Sequence, residues 1–223
     1  MSLLTSEQVE FFNANGYLLV SGLMGPDAVA KAAAAFWSEA GADPADPATW
    51  PVGTKAGGTH HPDILACFTR EMADAVDRLS GETDLNWTPP NGCLAINAYP
   101  QPGEWSHPGP HIDHAIPEHG FPVFPRPMRL ASLLYFNDVA PHSGGTVVWP
   151  GSHKIIEALA KSDPEQYALM APLNQRIRDG YPIGEGIEVQ SRAGDVLFYH
   201  YLCGHSGSTN AGSHPRFAIA HKW

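Results

Sequence analysis

The sequence predicts a mainly β domain, a single barrel formed by the later part of the chain with helices from the earlier part packed on it. Three observations lead there. Twenty-two glycines and twenty-one prolines cut the 223 residues into short segments, a pattern of turns between strands rather than of a helical bundle. Segments 92–99, 129–137, 145–149, 187–190, 196–202 and 216–222 are rich in branched or aromatic residues and bounded by Pro, Gly or Asn. Helical periodicity is concentrated before residue 85, and no repeat or linker divides it from the rest. One domain over 1–223 is therefore expected, with 1–85 mostly helical support and 86–223 the barrel core.

Taken in order, Thr5 or Ser6 precedes Glu7-Gln8-Val9-Glu10-Phe11-Phe12, where a hydroxyl can satisfy helix-start N–H groups and the acids favour the positive end of the dipole. A short helix is predicted, ended by Asn13 to Gly16. Tyr17-Leu18-Leu19-Val20 reads as a strand between glycines. Pro26-Asp27 opens a second helix through Ala40, with Val29, Phe36 and Trp37 as core contacts and Gly41 as its stop. Residues 42–60, rich in Pro, Gly and Asp, are expected to be an irregular loop. Ile64, Leu65, Phe68, Met72, Ala75, Val76 and Leu79 recur at helical spacing, which predicts a third helix over about 63–79 with Gly81 after it. The barrel strands follow, interrupted by a helix near 153–160 that begins at Ser152-His153.

Charge and composition exclude several classes. Thirteen Lys and Arg against twenty-three Asp and Glu give a net charge of −10 without a basic cluster, so neither nucleic acid nor an anionic membrane surface is expected as a partner. No apolar run approaches the roughly 20 residues of a membrane span, and no signal-peptide pattern opens the chain. A cytoplasmic protein is expected. Cys67, Cys93 and Cys203 are odd in number and widely spaced, which argues against a disulfide framework or a zinc knuckle and for ordinary buried thiols.

The twelve histidines invite a metal hypothesis. His111-Ile112-Asp113 places an imidazole and a carboxylate two residues apart, and on a strand that period brings both to one face. Composition alone yields such a triplet about once in a chain of this kind. His61-Pro62-Asp63 is a second copy, but it stands where a helix should start, and there Asp63 has an ordinary role as the cap. A mononuclear site needs a third ligand from a distant strand. His205 is preferred, because Cys203-Gly204 can turn its ring inward after the apolar strand 196–202; His200 on that strand is its competitor. Arg216 begins the last strand, where Arg216-Phe217-Ala218-Ile219-Ala220 alternates a guanidinium and small residues with bulky ones. A guanidinium on a barrel wall calls for a carboxylate to grip, whereas the ordinary alternative is a surface arginine beside an acid. Trp105, Phe121, Phe124, Tyr135, Trp149 and Tyr199 are as consistent with plain core as with a pocket, and 100–127 reads as an entrance loop or a rigid connection.

Several of these pieces occur together, in order. They are the opening Thr5 to Tyr17, His111-Ile112-Asp113, the stretch Gly144-Gly145-Thr146-Val147-Val148-Trp149-Pro150-Gly151-Ser152-His153, Gly194-Asp195 before a strand, His205 to Asn210, and Arg216. In this the chain resembles the phytanoyl-CoA dioxygenase (PhyH) family of iron(II)- and 2-oxoglutarate-dependent oxygenases, over nearly its whole length. The resemblance implies a double-stranded β-helix, a jelly-roll or cupin-like barrel, with N-terminal helices packed on it. It implies that His111, Asp113 and His205 hold iron(II) and that Arg216 binds the distal carboxylate of 2-oxoglutarate. Asn97 matches a strand lining the cosubstrate pocket in relatives, and Thr146 either contacts that pocket or bridges strands.

The implied reaction consumes dioxygen and 2-oxoglutarate, releases succinate and carbon dioxide, and hydroxylates a small organic substrate. Related halogenases lack the carboxylate that Asp113 supplies, so hydroxylation is expected rather than halogenation. The Pro150-Gly151-Ser152-His153 turn is a family marker with an architectural role, in which Ser152 starts the following helix. Many relatives read His-Gly-Ser-Gly where this chain reads His205-Ser206-Gly207-Ser208, so neither serine is assigned a cosubstrate contact. With little sequence after the arginine strand to build a lid, a large acyl-CoA is not the expected substrate. Two other classes compete: a non-catalytic metal-binding barrel acting as sensor or ligand-binding module, and a zinc hydrolase, for which Arg216 has no general use.

Overall fold

A computed structural model describes residues 4–83, 87–113 and 120–223. The expected division at 85/86 and part of the expected entrance loop lie outside the described residues. Helix α1 (Ser6–Asn15) starts on a reciprocal cap, in which Thr5 Oγ1 accepts from Gln8 N and Gln8 Oε1 accepts from Thr5 N. Gly16 ends it at φ 78°, and a side chain there would collide with the ring of His153. Both the backbone angle and the packing therefore require glycine. Strand β1 (Tyr17–Val20) and helix α2 (Pro26–Ala40), closed by Gly41, follow as the sequence predicts.

The next two elements depart from expectation. Residues 42–60 hold a short 3-10 turn at Pro47–Thr49 and a seven-residue strand, β2 (Gly53–Thr59). Its Gly-Thr-Lys-Ala-Gly-Gly-Thr sequence has little strand propensity; the ladder to β3 (Cys93–Tyr99), from Gly53 opposite Tyr99 to Thr59 opposite Cys93, forms it. The predicted third helix is two helices, α3 (Pro62–Leu65) and α4 (Arg70–Ser80). Thr69 caps α4 through a bond from Met72 N, and the turn between them buries Cys67 and Phe68, so the apolar pattern runs through while the helix does not. The cap of α3 is His61, whose Nδ1 accepts from Asp63 N, and not Asp63 as expected.

The remaining elements are β4 (Leu130–Tyr135), β5 (Thr146–Val148), α5 (Ser152–Ser162), α6 (Met170–Arg178), β6 (Ile187–Val189), β7 (Val196–His200), β8 (His205–Ser206) and β9 (Ala218–Lys222). Two sheets result, one ordered β1-β7-β4-β9-β3-β2 and one ordered β6-β5-β8, with all named pairs antiparallel. The N-terminal segment thus supplies both edge strands of the larger sheet as well as helices. Alternation divides the core. One row of the larger sheet (Ala95, Tyr99, Leu134, Phe198, Phe217, Ile219) packs on α2 and α4, where Phe36 stacks on Phe217 at 5.3 Å. Burying such a ring contributes about 2–3 kcal/mol. The opposite row (Leu133, Tyr135, Leu197, Tyr199, Ala218) faces the smaller sheet and forms the barrel interior. Among the described residues no helix is long and apolar enough to cross a membrane. Cys67 and Cys203 are buried free thiols, while Cys93 is only half-buried.

Candidate active site

His111 is locked to His205 by a reciprocal backbone pair, His111 N to His205 O at 3.0 Å and His205 N to His111 O at 2.9 Å. Their rings lie 4.4 Å apart. Between the two members of the His-x-Asp triplet, Ile112 is fully buried on the opposite side. Its N–H donates to Asn174 Oδ1 at 2.8 Å and its carbonyl accepts from Asn174 Nδ2 at 2.6 Å. A buried amide on α6 therefore holds the backbone between the His111 and Asp113 side chains. The signal for it in sequence is a polar residue among Met170, Leu173 and Ile177, the buried positions of a helix that the strand-and-turn reading passes over.

The approach to His205 is held by the Pro150-Gly151-Ser152-His153 turn. Ser152 Oγ accepts from Gly204 N at 2.9 Å and donates to Trp149 O at 2.6 Å, while Trp149 N donates to Gly204 O. Ser152 is the first helical residue of α5, so its hydroxyl serves the loop leading to His205 rather than the helix start. His205 Nδ1 lies 3.0 Å from Cys203 O. With Nδ1 turned to that carbonyl, Nε2 is the ring nitrogen presented to the donor cluster, as a metal-binding imidazole requires. Nε2 faces Asp113 Oδ1 at 3.5 Å, and donor atoms of His111, Asp113 and His205 all lie within 4.8 Å of one another.

Burial and mutual charge act on all three groups. Burial, with help from His205, pushes the His111 pKa down to about 4, so its ring is neutral at pH 7. Burial acts to raise Asp113, but the hydrogen bond and charge of His205, with Lys222 and His111, outweigh it and hold the carboxyl well below its usual range. Burial likewise acts to lower His205, and the bond and charge of Asp113 together with the Cys203 carbonyl reverse it, so its pKa is raised.

His200 is set apart by strand parity. It pairs with Leu130 on the helix-facing row, accepts from Leu202 N at 3.1 Å and packs its ring 5.1 Å from His153. His61 and Asp63 stay at the start of α3; among the described residues the only three-donor cluster is that of His111, Asp113 and His205.

Arg216 is not the surface arginine of the alternative reading. It is 2% exposed, its backbone bridges Ala98, and no carboxylate pairs with it among the described residues. Nε donates to Gly144 O at 2.9 Å and Nη1 to Ile96 O at 2.8 Å. Carbonyls satisfy N–H groups but neutralise no charge. Beside it Tyr135 Oη donates to Thr146 Oγ1 at 2.8 Å, both buried, so Thr146 bridges β4 to β5. Asn97, expected to line the cosubstrate pocket, lies on β3. It shares the helix-facing row with Ala95 and Tyr99, and lines a cavity of about 210 Å³ with Glu39 and Lys55. One residue of phase decides its face. Ser206 and Ser208 donate to the Gly207 and Gly145 carbonyls. Of the six aromatics, Tyr135, Trp149 and Tyr199 are buried and Phe124 is exposed; Tyr199 packs 4.5 Å from the His205 ring.

Comparison with known proteins adds the family. The phytanoyl-CoA dioxygenase (PhyH) profile matches residues 12–218. The fold is similar to that of SnoK, a non-haem α-ketoglutarate-dependent carbocyclase from nogalamycin biosynthesis. Identity is 20%, coverage is 99% of this chain and 84% of that one, and the TM-score is 0.67. It is also similar to iron-bound EctD from S. alaskensis, at 21% identity, 98% and 76% coverage and a TM-score of 0.60. The epimerase SnoN, crystallised with Fe3+, α-ketoglutarate and nogalamycin RO, matches at 17% identity, 96% and 80% coverage and a TM-score of 0.56. Likeness at these identities establishes the jelly-roll fold. No curated protein is significantly similar in sequence. With the family profile spanning nearly all of the chain and the barrel in place, the protein belongs to the phytanoyl-CoA dioxygenase family.

Proposed function

We propose that the protein is an iron(II)- and 2-oxoglutarate-dependent dioxygenase that hydroxylates a small organic substrate. Substrate, dioxygen and 2-oxoglutarate give hydroxylated product, succinate and carbon dioxide. The observation that carries this reading is Arg216, a buried guanidinium without a carboxylate partner among the described residues, in the same barrel that gathers two imidazoles and one carboxylate. An unpaired buried charge is costly, and a dicarboxylate cosubstrate removes the cost when it binds.

The donor set fits the ion. Two imidazoles and a carboxylate are the ligands of non-haem iron(II) sites that keep positions open for keto acid and oxygen. In this reading His111, Asp113 and His205 hold the iron, which with 2-oxoglutarate supplies the oxidative chemistry. The chain's own part is placement and exclusion of water. Asn174 and the Ser152–Gly204 link hold the ligand backbones, Arg216 anchors the far carboxylate, and the inward row Leu133, Leu197, Ala218 and Ala220 offers an apolar wall with little bulk.

Anaerobic titration with iron(II) and 2-oxoglutarate tests the reading. A weak visible charge-transfer band is expected, with succinate and carbon dioxide formed on admitting air. Screening small metabolites for substrate-dependent succinate release then finds the substrate, and product analysis separates hydroxylation from the carbocyclisation and epimerisation named for SnoK and SnoN. Metal binding with no response to 2-oxoglutarate would favour the sensor or hydrolase readings instead.

A further inference from the structure

Lys222 ends the inward row of β9, after Arg216, Ala218 and Ala220. Its cross-strand partner is Ala131, too small to cover it, and its side chain is 42% exposed. Its Nζ stands 3.7 Å from Asp113 Oδ2, while Asp113 Oδ1 faces His205 Nε2 at 3.5 Å. The two carboxylate oxygens therefore have different neighbours, one the donor cluster and the other an ammonium. A carboxylate with both oxygens free can offer either one or two donors to an ion.

We propose that Lys222 is a positioning residue that holds Oδ2 of Asp113, so that the carboxylate gives the metal a single oxygen and a coordination position stays open. This rests on the metal-centre reading above. A solvent-facing ion pair adds little stability, so a fold-supporting role is not the reason for the contact. Arg178 on the last turn of α6 supplies a built-in control. Its charge also reaches His111, but its guanidinium bonds Gln175 Oε1 and pairs with no carboxylate among the described residues.

The test is anaerobic calorimetry with manganese(II), then with 2-oxoglutarate added to the metal-loaded protein, for the parent chain, Lys222→Met, Lys222→Arg and Arg178→Met. Lys222→Met keeps the stem and removes the charge. It is expected to bind metal about fivefold tighter, because a repelling cation is gone and a second oxygen is freed, yet to bind 2-oxoglutarate about tenfold more weakly. The visible spectrum of the cobalt(II)-substituted variant should change with the altered coordination. Lys222→Arg should return both constants towards the parent values, and Arg178→Met should leave the cobalt spectrum unchanged. Opposite movement of the two affinities is what a merely structural lysine does not produce. Unchanged or weaker metal binding by Lys222→Met, in a parent that binds both ligands, overturns the role of Lys222 alone. A parent that binds no metal overturns the metal-centre reading and this role with it. Lys222→Gln provides the same neutral comparison if the methionine variant does not fold.

Discussion

His205 is held from both ends of its ring: Nδ1 lies 3.0 Å from the Cys203 carbonyl and Nε2 lies 3.5 Å from Asp113 Oδ1. The carbonyl takes one ring nitrogen and the carboxylate faces the other. A ring fixed in this way loses little freedom when an ion arrives.

Asp113→Ala removes a donor and the charge that opposes burial of His205. Metal affinity should fall by more than the roughly 10–100-fold that loss of a merely supporting residue costs, and succinate formation should cease. Metal titration and a succinate assay check this. Parent-like turnover would falsify the ligand assignment.

Arg216→Ala should leave metal binding close to parental while raising the 2-oxoglutarate requirement on the order of 100-fold, the loss expected for one partner of a buried charge pair. The split between the two ligands is the informative result. Equal weakening of both would point to a damaged fold instead.

Asn174→Ala strips the Ile112 backbone of two hydrogen bonds in a buried setting. Each orphaned group costs about 1–3 kcal/mol, so the melting temperature should drop; metal affinity should weaken about 10–100-fold although Asn174 is no ligand. Calorimetry of folding and of metal binding reads the two effects separately.

His61→Ala tests which His-x-Asp triplet matters. Losing its cap of α3 should cost about 1 kcal/mol or less, with one metal still bound per chain. A loss of metal stoichiometry would transfer the site to residues 61–63.

Acid should destabilise the fold through two histidines outside the donor cluster. Burial pushes both His200 and His221 down to about 4, assisted at His200 by His153. In the unfolded chain a histidine titrates near ~6.5. Between those values the unfolded chain binds the extra protons, so stability is present above pH ~6.5 and is lost as pH falls towards about 4. Each ring contributes at most about 1.4 kcal/mol per pH unit. Urea midpoints across that window should decline, and His221→Phe, between Phe68 and Trp223, should flatten the decline.

The chemistry of the site is legible in the sequence because it resides in residue types at short spacings. His111 and Asp113 are two apart, the turn before His205 is two residues, and the small-residue row after Arg216 is a period-two pattern. The same holds for α1, α2 and most barrel strands, whose caps, glycine stops and branched residues act locally. Tertiary structure alone decided the rest. Strand phase put His205 in the donor cluster and His200 outside it, and set Asn97 on the helix-facing row; a ladder made β2 from a sequence with little strand character. Asn174 reached Ile112 across 62 residues of sequence, and Lys222 reached Asp113 through the end of a strand. The physical reason is register, since a slip of one residue reverses every side chain on a strand, and register is set by the packing of distant segments rather than by any one of them.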